Sequence, residues 1–99
     1  MTGETLEHLD FGNNNFNQDL SFIAHLVNLE KLVLRKNNFT GGLEYLKKMN
    51  KLKTLVISDT DLDSGLEYLP ESIKEFNCSV FYRKDAKSRN IYNLFAWFF

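Results

Sequence analysis

The chain has 99 residues, of which 43% are apolar and 25% are charged. This length predicts one domain, and this composition is typical of a folded soluble protein. The 12 basic residues against 13 acidic residues give a net charge of −1, which argues against a nucleic-acid-binding protein.

The chain repeats a motif of apolar residues that begins at Leu6. In the first unit the motif is Leu6-x-x-Leu9-x-Phe11-x-x-Asn14-x-Phe16. It recurs as Leu29-x-x-Leu32-x-Leu34-x-x-Asn37-x-Phe39, as Leu52-x-x-Leu55-x-Ile57-x-x-Thr60-x-Leu62, and more weakly as Ile73-x-x-Phe76-x-Cys78-x-x-Phe81-x-Arg83. The units start 23, 23 and 21 residues apart, and only Arg83 breaks the pattern of 16 apolar slots. Chance would fill about seven of them, so the chain contains an internal repeat.

Between the motifs, apolar residues recur at every third position. Leu20, Ile23, Leu26 and Leu29 form one such run. On an α-helix each three-residue step turns by about 300°, so these residues would spread around the helix instead of forming one stripe. Within each motif the spacing then shortens to two, which is the period of a β-strand. Each unit is therefore predicted to contain a helical or coil-like return followed by a short strand.

These motifs resemble the leucine-rich repeat family over about residues 6–82. The resemblance implies an α/β fold: a curved solenoid with a parallel β-sheet on its concave side and helical or 3-10 turns on its convex side. It predicts a repeat domain at residues 1–82, with about four units that start near residues 6, 29, 52 and 73. The sequence Leu69-Pro70-Glu71-Ser72-Ile73 looks like a shorter repeat variant with a proline turn, which accounts for the 21-residue spacing.

Each unit has inward apolar positions that only a neighbouring unit can bury. We predict that these positions form the core: Leu6, Leu9, Phe11, Leu29, Leu32, Leu34, Leu52, Leu55, Ile57, Ile73, Phe76 and Cys78. The position where each strand ends is polar in the first three units, at Asn14, Asn37 and Thr60, and these side chains would satisfy backbone groups at the turn. Phe81 cannot do so and Arg83 replaces an apolar residue, so a regular fourth turn is not expected.

Net charge alternates along the units. It is −5 for residues 1–30, +6 for residues 31–53, −5 for residues 54–79 and +3 for residues 80–99. Adjacent layers would carry opposite charge, which helps to select their register although exposed pairs are individually weak. A basic stripe for RNA or phosphoinositide is the alternative interpretation of residues 31–53, and the acidic layers on either side argue against it.

Residues 83–99 are predicted to form a C-terminal capping helix or an apolar tail. Ile91, Leu94, Phe95 and Phe98 have the spacing of an amphipathic helical stripe. Three interpretations stay open: a helix that covers the last unit, a tail that docks on a partner or membrane surface, and a chain that is a fragment. No capping segment precedes Leu6, so self-association through uncapped ends is a further hypothesis.

The residues with reactive side chains do not form a catalytic or metal-binding pattern. His8 and His25 have no partner at a recognisable catalytic spacing, and Cys78 occupies an apolar strand position. One cysteine and two histidines exclude an internal disulfide and a zinc cluster of the usual spacing. The longest apolar run is half the length of a bilayer-spanning helix, and the first residues do not form a secretory signal. We therefore predict no enzyme activity, no cofactor and no metal, and, apart from the docking-tail interpretation of residues 83–99, no membrane partner.

The side chains between the inward positions of each strand would form columns across the concave sheet, because they alternate with period two. From these columns we predict a protein-binding surface made by Asp10, Lys31, Val33, Arg35, Thr54, Val56, Ser58 and Asn77. Val33 and Val56 would form an exposed apolar centre that, together with Arg35, anchors an acidic and apolar segment of another protein.

The predicted function is that of a protein-interaction module, a cytoplasmic or nuclear scaffold or adaptor without a nucleic-acid partner. Two alternatives stay open. The first is an extracellular receptor-like recognition domain, because Asn37-x-Phe39-x-Gly41-x-Leu43 is similar to secreted plant-type repeats. The second is a purely structural segment of a longer repeat array.

Overall fold

The computed structural model describes residues 5–98, and the surroundings of the side chains from residue 5 to residue 93. Its strands are β1 (His8–Asp10), β2 (Lys31–Val33), β3 (Thr40–Gly42), β4 (Thr54–Val56), β5 (Asp61–Ser64) and β6 (Glu75–Asn77). The 3-10 turns Leu20–Ile23, Glu44–Leu46 and Leu66–Tyr68 lie between strands, and the helix α1 (Ser88–Phe98) follows β6. This alternation of short strands with helical returns fits the predicted α/β class.

Four of the strands form a parallel sheet in the order β1-β2-β4-β6. In this sheet His8 pairs with Lys31, Lys31 with Thr54, and Thr54 with Glu75. The register therefore places equivalent positions of successive motifs side by side, as the repeat spacing predicts. The strands β3 and β5 form a second parallel pair, in which Thr40 pairs with Asp61.

The core is complete in the middle of the chain and incomplete at both ends. The inward positions of the second and third motifs are fully buried: Leu29, Leu32, Leu34, Leu52, Leu55 and Ile57. Cys78 is buried as well, whereas Leu6, Leu9, Phe11, Ile73 and Phe76 are only partly buried against the core. The prediction of buried core residues is thus correct in the middle units, but at the ends it includes residues that are only partly buried. The physical reason is that β1 and β6 are edge strands with a neighbour on one side only.

Four phenylalanine rings join the first two units. Phe39 is fully buried, and the distance from its ring centroid is 5.5 Å to that of Phe16, 5.9 Å to that of Phe22 and 6.5 Å to that of Phe11. These separations are in the range of favourable aromatic pairs. The last apolar slot of each of these motifs, Phe16 and Phe39, therefore contributes directly to the contact between neighbouring units.

Asn37 satisfies the backbone where the first two strands end. Its buried side-chain oxygen accepts hydrogen bonds from the backbone N–H of Asn14 and of Phe16, both at 3.0 Å. Its side-chain nitrogen donates to the carbonyl oxygens of Phe11, Leu34 and Arg35 at 2.6, 3.1 and 3.2 Å. The predicted role of this amide, which needs both donors and acceptors, is correct.

The side chains at the two other strand-end positions, Asn14 and Thr60, make fewer hydrogen bonds to the backbone. Asn14 is exposed, and among the described residues its amide nitrogen donates to the Gly12 carbonyl oxygen two residues earlier, at 2.9 Å. The buried Thr60 hydroxyl donates to the Ile57 carbonyl oxygen at 2.7 Å. Asn14 follows β1, which is an edge strand of the described sheet, so the structure describes no strand on its other side for this amide to contact.

The segment after β6 packs back onto the third unit. The backbone N–H of Ser88 donates to the Thr60 carbonyl oxygen at 3.0 Å, and the Ser88 hydroxyl accepts the Thr60 N–H at 3.3 Å. The helix α1 contacts β5, and Ala86, Ser88 and Ile91 are buried. The predicted helical stripe is therefore inward-facing at Ile91, while the side chains of residues 94–99 lie outside those that the structure describes.

Two ion pairs connect layers of opposite net charge. The Lys53 ammonium lies 3.3 Å from a Glu30 carboxylate oxygen, and the Arg83 guanidinium lies 3.0 Å from the Asp61 carboxylate. The Lys53 pair is largely exposed and contributes little to stability. The Arg83 pair is more buried and belongs to a larger hydrogen-bonded group.

Candidate binding surface

The predicted columns form across the four-stranded sheet. One column contains His8, Lys31, Thr54 and Glu75, and the register places Asp10, Val33, Val56 and Asn77 side by side in the next. Asp10, Lys31, Arg35 and Asn77 are exposed, and Thr54 and Val56 are half-buried. Six of the eight predicted binding residues are therefore accessible on one face.

The other two residues of that set are buried. Val33 is 2% exposed and Ser58 is 5% exposed, so the prediction of an accessible apolar centre at Val33 is wrong. Val33 is a short side chain in an inner strand, with Asp10 on one side and Val56 on the other, and these neighbours restrict its contact with water. Only Val56 remains as an apolar contact in this column.

The chain passes through a left-handed residue three positions after each of the first three strands of this sheet. These residues are Asn13, Lys36 and Asp59, with φ angles of 62°, 57° and 56°. Asparagine and aspartate adopt this conformation more readily than other residues with a Cβ, whereas lysine does not share this preference. Lys36 is therefore held in a strained backbone conformation at the edge of the sheet.

Asp59 fixes the turn that follows β6. This side chain is 1% exposed, and its Oδ1 accepts the backbone N–H groups of Phe81, Tyr82 and Arg83 at 2.9, 2.9 and 3.0 Å. The Arg83 guanidinium also donates to the Asp59 carbonyl oxygen at 3.3 Å and to the Asn37 carbonyl oxygen at 3.0 Å. The backbone of residues 81–83 is thus attached to the second and third units.

This turn presents two aromatic side chains to water. Phe81 is 68% exposed and Tyr82 is 71% exposed, although their backbone is firmly hydrogen-bonded. The Lys36 ammonium lies 3.7 Å from the centroid of the Tyr82 ring, which is a cation–π contact. The strained lysine is therefore directed at the exposed aromatic pair.

Arg35, two residues after β2, lies near the same aromatic side chains. Its side chain passes over Gly12, where a Cβ would lie 3.4 Å from the Arg35 Cγ and 2.9 Å from an Asp10 carboxylate oxygen. That carboxylate accepts the Gly12 N–H at 2.7 Å. Arg35 makes no ion pair with any residue of the described part of the chain.

These groups surround a cavity of about 410 Å³ at the carboxyl ends of the strands. We call it the rim pocket, and its lining residues are Asp10, Gly12, Asn13, Arg35, Lys36, Ser58, Asp59, Asn77, Phe81 and Tyr82. Its volume is within the range of ligand-binding pockets in proteins. Four of the predicted binding residues, Asp10, Arg35, Ser58 and Asn77, lie in it.

Comparison with known families identifies one part of the chain. Residues 5–26 match the family model of the leucine-rich repeat, and this segment contains β1 and the first 3-10 turn of the described chain. Residues 5–26 are thus similar to a leucine-rich repeat. No curated protein and no solved structure matches it significantly. The resemblance inferred from the motif at Leu6 is thus confirmed.

The sequence motif of the leucine-rich repeat did not reveal the aromatic side of the rim pocket. Phe81 occupies the slot that holds a polar residue in the three earlier motifs, and it was interpreted only as the end of the pattern. That departure was the available signal. Asp59 was likewise not recognised, because its position carries Asn13 in the leucine-rich repeat at residues 5–26 and Lys36 in the next motif.

Reactive groups near the four-stranded sheet do not form a catalytic centre in the part of the chain that the structure describes. Burial raises the pKa of the Cys78 thiol to about 11, so at neutral pH it is a protonated, poorly nucleophilic group. His8 and His25 are exposed. Within residues 5–98, no group of three histidine, cysteine, aspartate or glutamate side chains could hold a metal ion, and no helix is long and apolar enough to cross a membrane.

Proposed function

We propose that the chain is a short solenoid of about four leucine-rich repeats, at residues 1–82, that binds a protein partner through its concave face. Leucine-rich repeats generally mediate protein–protein interactions, and residues 5–26 are similar to one. The extension of the array to units near residues 29, 52 and 73 is supported by the shared motif and by the parallel register of β1, β2, β4 and β6. On this proposal the chain is a scaffold or adaptor without enzymatic activity, cofactor or metal.

One observation supports the concave face over the rest of the surface. The carboxyl-terminal edge of the sheet presents Arg35, which has no ion pair among the described residues, beside the exposed rings of Phe81 and Tyr82. Arginine and aromatic residues are enriched in protein interfaces and in the residues that dominate binding energy. The Phe81 ring is 68% exposed, and leaving this apolar surface in water does not stabilise the chain itself.

The proposal can be tested with binders selected from a displayed library of random peptides. We expect selected peptides to lose affinity at least about tenfold when Lys31→Glu is introduced on the concave face, since reversing a charge inside an interface is strongly unfavourable. The matched control is Lys48→Glu on an exposed return segment, which should leave affinity unchanged. Binders that respond to Lys48→Glu and not to Lys31→Glu would contradict the concave-face proposal.

We further propose a cytoplasmic or nuclear location. The support is the cysteine content: the chain has one cysteine, Cys78, and it is a buried free thiol. Small repeat domains of oxidising compartments are commonly stabilised by disulfides. Fluorescent tagging of the chain at its native expression level would test this location.

A second candidate function, a structural segment of a longer array, is favoured by the end face beside β6. A cavity of about 390 Å³ there is lined mainly by apolar residues, among them Leu66, Leu69, Ile73 and Phe76, which are only partly buried. In a longer array this face would be covered by another unit. Analytical ultracentrifugation distinguishes the two candidates, because an uncovered end face predicts concentration-dependent association that Phe76→Lys abolishes.

A further inference from the structure

We propose that the rim pocket binds a segment of a partner protein in which a carboxylate side chain lies next to an aromatic side chain. This inference rests on the proposed concave-face function and names the chemistry of the partner. It also replaces Val33 with Phe81 and Tyr82 as the apolar part of the site, because Val33 is buried.

The accessibility of the charged groups in the pocket favours an acidic partner. Two cations border it, Arg35 and Lys36, and two acids line it, Asp10 and Asp59. Asp59 is 1% exposed and its Oδ1 already accepts three backbone N–H groups, so it cannot meet an incoming ligand. The Asp10 carboxylate is exposed and accepts the Gly12 N–H through Oδ1, so it keeps its negative charge at the edge of the pocket. The guanidinium of Arg35 is thus the exposed group best able to bind a carboxylate, and its planar donors suit bidentate pairing.

The exposed rings of Phe81 and Tyr82 indicate that the partner segment also carries an apolar side chain. Phe81 and Tyr82 are adjacent and mostly exposed, and Lys36 covers part of the Tyr82 ring. An aromatic side chain placed between them would remove their surfaces from water and form offset ring contacts. An aliphatic side chain would also remove the rings from water, but it would not form ring contacts. For this reason we assign an aromatic side chain.

The site is also rigid before any ligand arrives. The backbone of Phe81 and Tyr82 is fixed by Asp59, and the Lys36 N–H donates to the Ser58 carbonyl oxygen at 3.1 Å while Lys36 keeps its left-handed conformation. Preorganised groups lose little conformational entropy on binding. Backbone strain in a cluster of exposed groups is a common property of ligand-binding sites.

The inference can be tested by titrating four short blocked peptides into isotope-labelled protein and recording backbone amide shifts. The first peptide carries two glutamates followed by a tryptophan. The second peptide has glutamines in place of the glutamates, and the third has lysines in their place. The fourth keeps the glutamates and has alanine in place of the tryptophan. Concentrations up to about 5 mM are needed, because a ligand with few anchoring side chains binds weakly. We expect the acidic aromatic peptide to shift the amides of Gly12, Arg35, Phe81 and Tyr82 and to bind about tenfold more tightly than the glutamine peptide.

Two variants locate the effect. Arg35→Gln should bring the affinities of the glutamate and glutamine peptides together, and Phe81→Ser should do the same for the tryptophan and alanine peptides. Tyr92→Ser, which alters an exposed aromatic residue outside the pocket, and Lys84→Gln are the matched controls and should leave both differences intact. Each variant is first checked for a native amide spectrum.

The outcomes separate this inference from the function on which it rests. Equal binding of the glutamate and glutamine peptides, or shifts confined to the column that contains Lys31 and Thr54, would overturn the rim-pocket assignment and leave concave-face binding in place. Failure of both the four peptides and the displayed library to bind would overturn both. Tighter binding of the lysine peptide would reverse the charge assignment.

Discussion

The guanidinium of Arg83 and the carboxylate of Asp61 form a bidentate pair, with the Arg83 Nη2 3.0 Å from both carboxylate oxygens. Arg83 occupies the slot that holds Phe16, Phe39 or Leu62 in the earlier motifs. Its other terminal nitrogen donates to the carbonyl oxygens of Asn37 and Asp59. A charged side chain therefore joins the C-terminal segment to two units at a position where the repeat normally uses hydrophobic packing.

Loss of the Arg83 side chain should weaken the whole domain. We expect Arg83→Ala to lower the free energy of unfolding by about 2–3 kcal/mol, because it leaves a largely buried Asp61 carboxylate and two carbonyl oxygens without their partner. Arg89→Ala is the control, since the Arg89 side chain is exposed and donates to the Lys84 carbonyl oxygen at 3.3 Å. Urea unfolding measures both variants, and equal midpoints for them would show that the Arg83 contacts do not stabilise the fold.

The two strand-end asparagines should differ sharply. Asn37→Ala removes the partner of three backbone carbonyls and two N–H groups, and we expect it to cost about 2–4 kcal/mol of unfolding free energy. Asn14→Ala removes one exposed local bond and should cost less than about 0.5 kcal/mol. Thermal unfolding of this matched pair tests whether the strand-end amide serves the preceding unit. Similar costs at both positions would contradict that role.

The repeat motif was sufficient to predict the four strands of the larger sheet and their register, but it did not predict the pair formed by β3 and β5. The spacing that places Leu9, Leu32, Leu55 and Phe76 in successive motifs also makes them neighbours in the sheet. This works because a parallel repeat translates sequence periodicity directly into spatial periodicity. The degree of burial at the ends could not be obtained in this way, since the motif is the same whether or not a strand has two neighbours.

The Cys78 thiol makes the free energy of unfolding depend on pH in the alkaline range. Burial raises its pKa from the ordinary 9.0 to about 11, so the folded chain retains a proton that the unfolded chain releases in this interval. The stability that comes from the neutral thiol is complete below pH 9 and is lost as the pH rises to 11. We expect the difference in unfolding free energy between the wild type and Cys78→Ala to shrink across this window.

The alanine variant is the internal reference for that measurement, because tyrosine and lysine side chains titrate in the same range in both proteins. A difference that stays constant from pH 8 to pH 11 would place Cys78 outside the core. The rate of reaction with a thiol reagent provides a second measurement. It should be slow in native buffer and fast in urea.

The helix α1 should stabilise the domain through Ile91. This side chain is fully buried whereas its neighbour Tyr92 is exposed, so the two positions form a matched pair. We expect Ile91→Ala to cost about 2–4 kcal/mol and Tyr92→Ala less than about 0.5 kcal/mol. Unchanged melting of Ile91→Ala would instead favour a docking tail over a helix that packs on the third unit.

The rim pocket shows where the repeat motif stops being informative. The motif assigns roles by position within a unit, but the pocket combines Arg35 and Lys36 of the second unit with Phe81 and Tyr82 of the segment that departs from the pattern. These residues are brought together by the Asp59 hydrogen bonds, which depend on a left-handed turn. A contact of this kind follows from the three-dimensional path of the chain and has no period in the sequence.

The alternation of charge between layers also limits how such an array changes in length. Removing residues 31–53 would place two layers of net charge −5 against each other and would remove Lys53, the ion-pair partner of Glu30. Like charges on adjacent layers repel, so the loss or gain of a single unit is unfavourable in a way that the loss or gain of two units is not. The pair of units, and not the single unit, is therefore the step by which we expect a repeat array with this charge pattern to be duplicated or shortened.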